Sequence, residues 1–152
     1  MKLIKPVLNY CLLLTALVFF VEGWNVSAKA DSIRMFDEYG NLSFKDEKAR
    51  LNNLAQYMLQ EEPTFIAYII AYNGRKSCRN EAQLRAQRAE SYLISKHKIS
   101  GERVKIIDGG YREKLTFEFY VFPKDVAVPK GSATLEASEV KITGDCKQLD
   151  KK

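Results

Sequence analysis

The chain has 152 residues, of which 46% are hydrophobic, 28% charged and 11% aromatic, with a formal net charge of +5. That balance describes one ordinary globular domain and excludes a disordered or collagenous chain. A charge surplus this small, with both signs interspersed, is no nucleic-acid footprint, and no zinc set can be built from one histidine and two widely spaced cysteines, Cys78 and Cys146.

Residues 1–30 read as a secretory signal peptide. Lys2 and Lys5 precede an almost wholly apolar run over residues 7–21, and Ala28-Lys29-Ala30 supplies the small-residue pattern of a cleavage site. The apolar run is 15 residues long and Asn9 interrupts it, whereas a spanning helix needs about 20. Membrane contact is therefore expected only through this segment. Cys11 lies inside it and lacks the small residues that precede a lipoprotein cysteine. Cleavage after Ala30 leaves 122 residues with a net charge of +3, in a compartment where a Cys78–Cys146 bridge can persist; two free thiols are the alternative.

The mature chain divides into a folded region, residues 31–123, and a weakly ordered tail, residues 124–152, with at most one added strand or hairpin. Ile33 to Phe36 can open a sheet, and Tyr39-Gly40-Asn41 reads as a turn. Ser43-Phe44-Lys45-Asp46 has the spacing of a capping box, and Leu51, Leu54, Ala55 and Met58 then recur on one helical face. That helix must stop before Pro63. Residues 64–72, TFIAYIIAY, carry no charge and are rich in Ile, Tyr and Phe, so they predict a central strand buried on both faces.

Asn80 is the expected cap of the next helix, with Gln83 at the reciprocal position; Ala82, Ala86, Ala89 and Leu93 form its narrow apolar seam. Residues 104–107 predict a strand, Gly109-Gly110 a turn, and Leu115, Phe117, Phe119 and Val121 a strand of period two. The short loop between them predicts an antiparallel hairpin. The fold class expected is α/β, a two-layer sandwich of order β-α-β-α-β-β with both helices packed on one face of a mixed sheet.

The densest chemistry is basic. Arg75, Arg79, Arg85 and Arg88 crowd the loop and first turns after the central strand, where guanidinium groups can hold a carboxylate through paired hydrogen bonds or simply stay solvated. His97 sits between two lysines at a helix end with no orienting carboxylate in sequence reach, and no nucleophile motif or phosphate loop is present, so no enzyme and no cofactor is expected.

Residues 36–121 resemble the C-terminal, OmpA-like domain of bacterial envelope proteins, a peptidoglycan-binding α/β module. Phe36-Asp37 and the L-x-x-L-A of residues 51–55 match its opening, residues 69–76 its strand ending in H-T-D-x-x-G, and Leu84-Arg85-Ala86-Gln87-Arg88-Ala89 its L-S-x-x-R-A helix. Gly110-Tyr111-Arg112 stands where the family has G-Y-G. The resemblance implies a domain of the periplasm or cell envelope that holds the diaminopimelate of a peptidoglycan stem peptide. The family arginine maps onto Arg88 and the family aspartate onto Asn73, with Asn80, Arg85 and Arg112 expected around them. Asn73 departs from the family, since a neutral amide facing an ammonium is weaker than a carboxylate by about 1–2 kcal/mol. The family segment that separates G-Y-G from the last strand is also missing here, where Tyr111 runs within a few residues into Leu115. Two partner classes follow: peptidoglycan itself, or an envelope protein bound by a derived module that kept the fold and lost the glycan ligand, using the basic loop or the face carrying Tyr120 and Phe122.

Overall fold

A computed structural model describes residues 35–61 and 63–146. The signal segment and its cleavage point lie outside the described residues, as do Ile33 and Arg34 of the first expected strand and the end of the tail. In chain order the elements are β1 (Met35–Tyr39), α1 (Phe44–Gln60), β2 (Phe65–Gly74), β3 (Lys76–Ser77), α2 (Glu81–His97), β4 (Val104–Arg112), β5 (Thr116–Pro123) and β6 (Lys141–Ile142), with short 3-10 turns at Gly101–Arg103 and Ala137–Glu139.

The main sheet has the order β1-β5-β2-β4. The chain is α/β, with α1 and α2 on one face of this mixed sheet. Ser43 caps α1 by accepting from the Asp46 amide at 3.2 Å, and the expected stripe of Leu51, Leu54, Ala55 and Met58 is buried. From α2, Ala82, Ala86, Ala89 and Leu93 pack beside them, small side chains that let the helix lie close to the strands. From the sheet come Tyr39, Ala67, Ile69, Ala71, Val104, Phe117 and Phe119, and Tyr39 stacks on Phe119 with ring centroids 5.2 Å apart.

β2 is central, as its uncharged run requires, but its neighbours differ from expectation. β4 and β5 do not form a hairpin. β2 lies between them, parallel to β4 and antiparallel to β5. A strand with apolar side chains on both faces gains most with a hydrogen-bonded neighbour along each edge, and its insertion outweighs the local preference of β4 and β5 for each other. Gly109-Gly110 is accordingly no turn. Both residues lie inside β4, where the register slips between Ala71–Asp108 and Tyr72–Gly110, and Gly110 takes a φ of +80°.

The true connection is Glu113-Lys114-Leu115, which bridges two strand spacings, about 10 Å, across the end of β2. It passes directly over Gly74, where a Cβ would stand 2.9 Å from the Leu115 amide nitrogen. Gly74→Val should therefore push backbone against backbone and cost about 2 kcal/mol, read as a lower urea midpoint with an unchanged slope. An unchanged midpoint would mean that the crossover does not rest on Gly74.

The segment after β5, expected as a weakly ordered tail, is described as far as Cys146. Residues 124–135 run back across the sheet face that carries no helix. Val126 packs against Ile66, Tyr68 and Phe122, and Pro129 is buried. A Cβ on Gly131 would stand 2.8 Å from the Gly109 Cα, and the Ser132 amide donates to the Tyr72 hydroxyl at 3.2 Å. Thr134 and Leu135 then donate to the Tyr111 carbonyl. This strap is why Phe122 is buried and Tyr120 half-buried rather than both forming an open patch. Beyond it, β6 adds to β3 in parallel, and Cys146 is bonded to Cys78 with Cα atoms 5.0 Å apart.

Candidate functional site

All the expected site residues are described, and all but Asn80 are committed to a neighbour within the fold. Asn73 is the penultimate residue of β2, on the helix face, and its Oδ1 accepts from the Ala82 amide at 2.9 Å. It thereby satisfies an orphan donor at the start of α2. Asn80 holds the N-cap position but does not cap. Its φ is 57°, a left-handed value that asparagine tolerates, and its side chain makes no capping bond. Gln83 supplies no reciprocal bond either; Glu81 Oε2 accepts instead from the Cys78 amide at 3.3 Å.

Arg85 is buried and clamps α2 to the β1–α1 loop. Its Nη2 donates to Glu81 Oε1 at 2.8 Å and Asn41 Oδ1 at 2.9 Å, and its Nη1 to the Leu42 carbonyl at 3.2 Å. Arg88 faces α1. Its Nη2 lies 2.5 Å from Glu47 Oε2, and its guanidinium stands 4.2 Å from the centre of the Phe44 ring. Glu47 is only 2% exposed, and its other oxygen accepts from the Tyr39 hydroxyl at 2.9 Å.

Arg112 belongs to the opposite face of the sheet. Its Nη2 donates to Glu118 Oε1 and to Ser132 Oγ, both at 2.6 Å, and its guanidinium sits 3.6 Å from the Tyr72 ring centre. Glu118 Oε2 also accepts from Tyr72 at 2.8 Å and Tyr120 at 3.3 Å. Asn73, Asn80 and Arg85 thus gather at the start of α2, while Arg88 turns to α1 and Arg112 to the strap. They do not converge on one ligand.

The Tyr39–Glu47–Arg88 group shifts one titration. Burial, then the adjacent Glu47 carboxylate, hold the Tyr39 hydroxyl far above the ordinary tyrosine value of 10.0. The folded state therefore resists losing a proton that the unfolded chain gives up near pH 10. The stabilisation is complete below pH 10 and is lost as pH rises above it. Stability should fall with alkaline pH beyond 10, and Tyr39→Phe should flatten part of that slope, because Tyr57 and Tyr120 are also raised by burial and by a neighbouring carboxylate. Urea titrations between pH 8 and 11 measure this; identical slopes in the two proteins would remove Tyr39 from the account.

One open cleft lies beside the start of α2. It has a volume of about 590 Å³ and is lined by Gly40, Asn41, Gly74, Arg75, Lys76, Glu81, Glu113, Lys114 and Leu115. Glu81 faces Arg85, and Glu113 holds Arg75 Nε at 2.8 Å, so both acids are neutralised in place. The ammonium groups of Lys76 and Lys114 have no hydrogen-bond or ion-pair partner among the described residues. The cleft therefore presents two uncommitted cations around backbone held close by two glycines.

Two side chains that shape this region escaped the sequence reading. Glu47 lies four residues before Leu51, on the same stripe as Leu54 and Met58, and a carboxylate in an apolar stripe signals a buried partner. Lys114 sits on the crossover, whose path sequence spacing does not give. His97 meets Asn52 at 2.8 Å and the edge of the Tyr92 ring, not a carboxylate. Among the described residues no group of three side chains is placed to hold a metal, and no helix is long and apolar enough to cross a membrane.

Fold and site together define a disulfide-closed α/β domain with a basic cleft at the C-terminal end of its central strand. No protein-family model, curated protein or solved structure matches this chain.

Proposed function

We propose that the chain is an exported, non-enzymatic domain of the cell envelope, of OmpA-like type, derived so that it binds a protein partner at the cleft between Asn41, Lys76 and Lys114 in place of a peptidoglycan stem peptide on Arg88. The observation that carries this reading is the 2.5 Å contact of Arg88 with the buried Glu47. An incoming carboxylate would have to displace an internal one that is already desolvated and already hydrogen-bonded to Tyr39. Asn73 is likewise occupied by the Ala82 amide. The amine and carboxylate ends of a diaminopimelate residue therefore lose both side chains that the resemblance assigns to them. The element order and the strand-to-helix turn support the envelope-domain part of the reading.

Sedimentation with purified sacculi tests it. The mature protein should stay in the supernatant, while a photo-cross-linker placed at Lys114 should trap a stoichiometric envelope protein. Co-sedimentation that free diaminopimelate competes away would overturn the proposal in favour of peptidoglycan binding.

A further inference from the structure

We infer that residues 136–146 form a redox-released clasp over the loop between β2 and α2. This segment is built unlike the strap that precedes it. Residues 124–135 bury Pro129 and pack Val126 onto the sheet, whereas residues 136–146 contain no buried side chain. Ile142 is 46% exposed although it lies in β6.

What holds the clasp is backbone pairing, two exposed ion pairs, a few long side-chain hydrogen bonds to backbone carbonyls, such as Thr143 Oγ1 to Ser77 at 3.3 Å and Arg75 Nη1 to Glu139 at 3.4 Å, and one covalent bond. Lys141 donates to the Arg75 carbonyl at 2.8 Å, Thr143 to the Ser77 carbonyl at 3.0 Å, and Arg79 to the Gly144 carbonyl at 2.8 Å. Glu139 lies 3.9 Å from Arg75, and Asp145 lies 3.2 Å from Arg79 with side chains 69% and 84% exposed. Exposed pairs of this kind add little, and a two-residue strand is marginal by itself. The buried Ser77 hydroxyl under the clasp gains no hydrogen-bond partner from it. Val140 is half-buried, but with no fully buried apolar side chain to offset the ordering of some ten residues, closure depends on the Cys78–Cys146 bond.

Both cysteines are half-buried, so the bond is open to attack. A dithiol reductant breaks it in two exchanges. Its first thiolate bonds to one sulfur and expels the other as a thiolate. Its second thiol then displaces the first sulfur, so that Cys78 and Cys146 end as two thiols with two protons gained, and the reductant leaves as the disulfide. Release of the clasp frees Arg75 from Glu139 and Arg79 from Asp145, and unpairs the Lys76–Ser77 edge beside the cleft. The oxidised chain thus screens its own basic loop with its own acids. The consequence for partner binding rests on the cleft reading; release of the clasp does not.

Hydrogen exchange of the full mature chain tests the clasp, comparing oxidised protein with protein reduced by dithiothreitol and alkylated. The amides of Arg79, Lys141 and Thr143 should exchange at least about tenfold faster after reduction, while β2, Ser132 and Leu135 keep their protection. Cys146→Ser should show the reduced pattern without reductant. Unchanged protection at those three amides after complete reduction would overturn the inference. So would loss of protection across the whole sheet, or a Cys146→Ser chain that does not fold, because the bond would then be a staple of the domain rather than the lock on one segment.

Discussion

Glu47→Ala should lower the unfolding free energy by about 3–5 kcal/mol, among the largest losses of any single substitution in this chain. The carboxylate is 2% exposed and receives both the Arg88 guanidinium and the Tyr39 hydroxyl. Removing it takes the carboxylate from a guanidinium whose side chain is only 11% exposed, and leaves a buried phenol without its acceptor. Replacing the pair together should be far milder. In Glu47→Leu/Arg88→Met both members of the buried pair are gone and apolar volume fills the gap between α1 and α2, so most of the loss should return. Urea unfolding at pH 7 of the wild type, Glu47→Leu, Arg88→Met and the double variant gives the coupling directly. The experiment bears on function as well as on stability. Were Arg88 held ready for an external carboxylate, Glu47→Ala would keep near-wild-type stability and bind sacculi better than the parent; the internal pair predicts an unstable protein that stays in the supernatant.

Much of the fold follows from periodicity. The stripe of Leu51, Leu54, Ala55 and Met58, the uncharged run of β2 and the alanine seam of α2 each state a burial pattern that only one element satisfies, and all three are buried as they require. The pairing of β4 and β5 was not legible, because loop length favours a hairpin while the deciding term is the demand of β2 for two neighbours, which is a property of the whole sheet. The tail was not legible for a related reason. Residues 124–135 carry only short apolar runs among Gly, Ser and Lys, and they are fixed by what lies under them: the Gly109 backbone at Gly131 and the Tyr72 hydroxyl at Ser132. The candidate site shows the same division. The sequence marks which arginines are present, but whether a guanidinium is open or spent depends on acids at positions distant in sequence, Glu47 for Arg88 and Glu118 for Arg112. Asn73 illustrates it most closely. An asparagine aligned with a ligand aspartate accepts a helix amide, a task for which the amide oxygen suffices.

Glu118→Ala should cost about 3 kcal/mol, and its damage should fall on the strap. Glu118 lies on the sheet face away from the helices, 7% exposed, where Arg112, Tyr72 and Tyr120 all reach it. The loss should stop at the lower end of the range for a broken buried pair, because Arg112 keeps Ser132 Oγ, the Ser132 carbonyl and the Tyr72 ring. Those remaining contacts are the ones that tie the strap down, and without Glu118 the guanidinium keeps only the distant, exposed Glu38, at 3.9 Å, to hold it against them. Exchange at Ser132, Thr134 and Leu135 should therefore accelerate more than exchange in α1 or α2, and the stability difference from wild type should change little between low and high salt, since a desolvated pair is poorly screened. Glu118→Gln separates charge from hydrogen bonding. It leaves an acceptor for Tyr72 and removes the ion pair, so it should lose less than the alanine variant while loosening the strap in the same order. An alanine variant as stable as the parent, with strap amides still protected, would mean that the glycine seat at Gly109 and Gly131 holds the strap by itself.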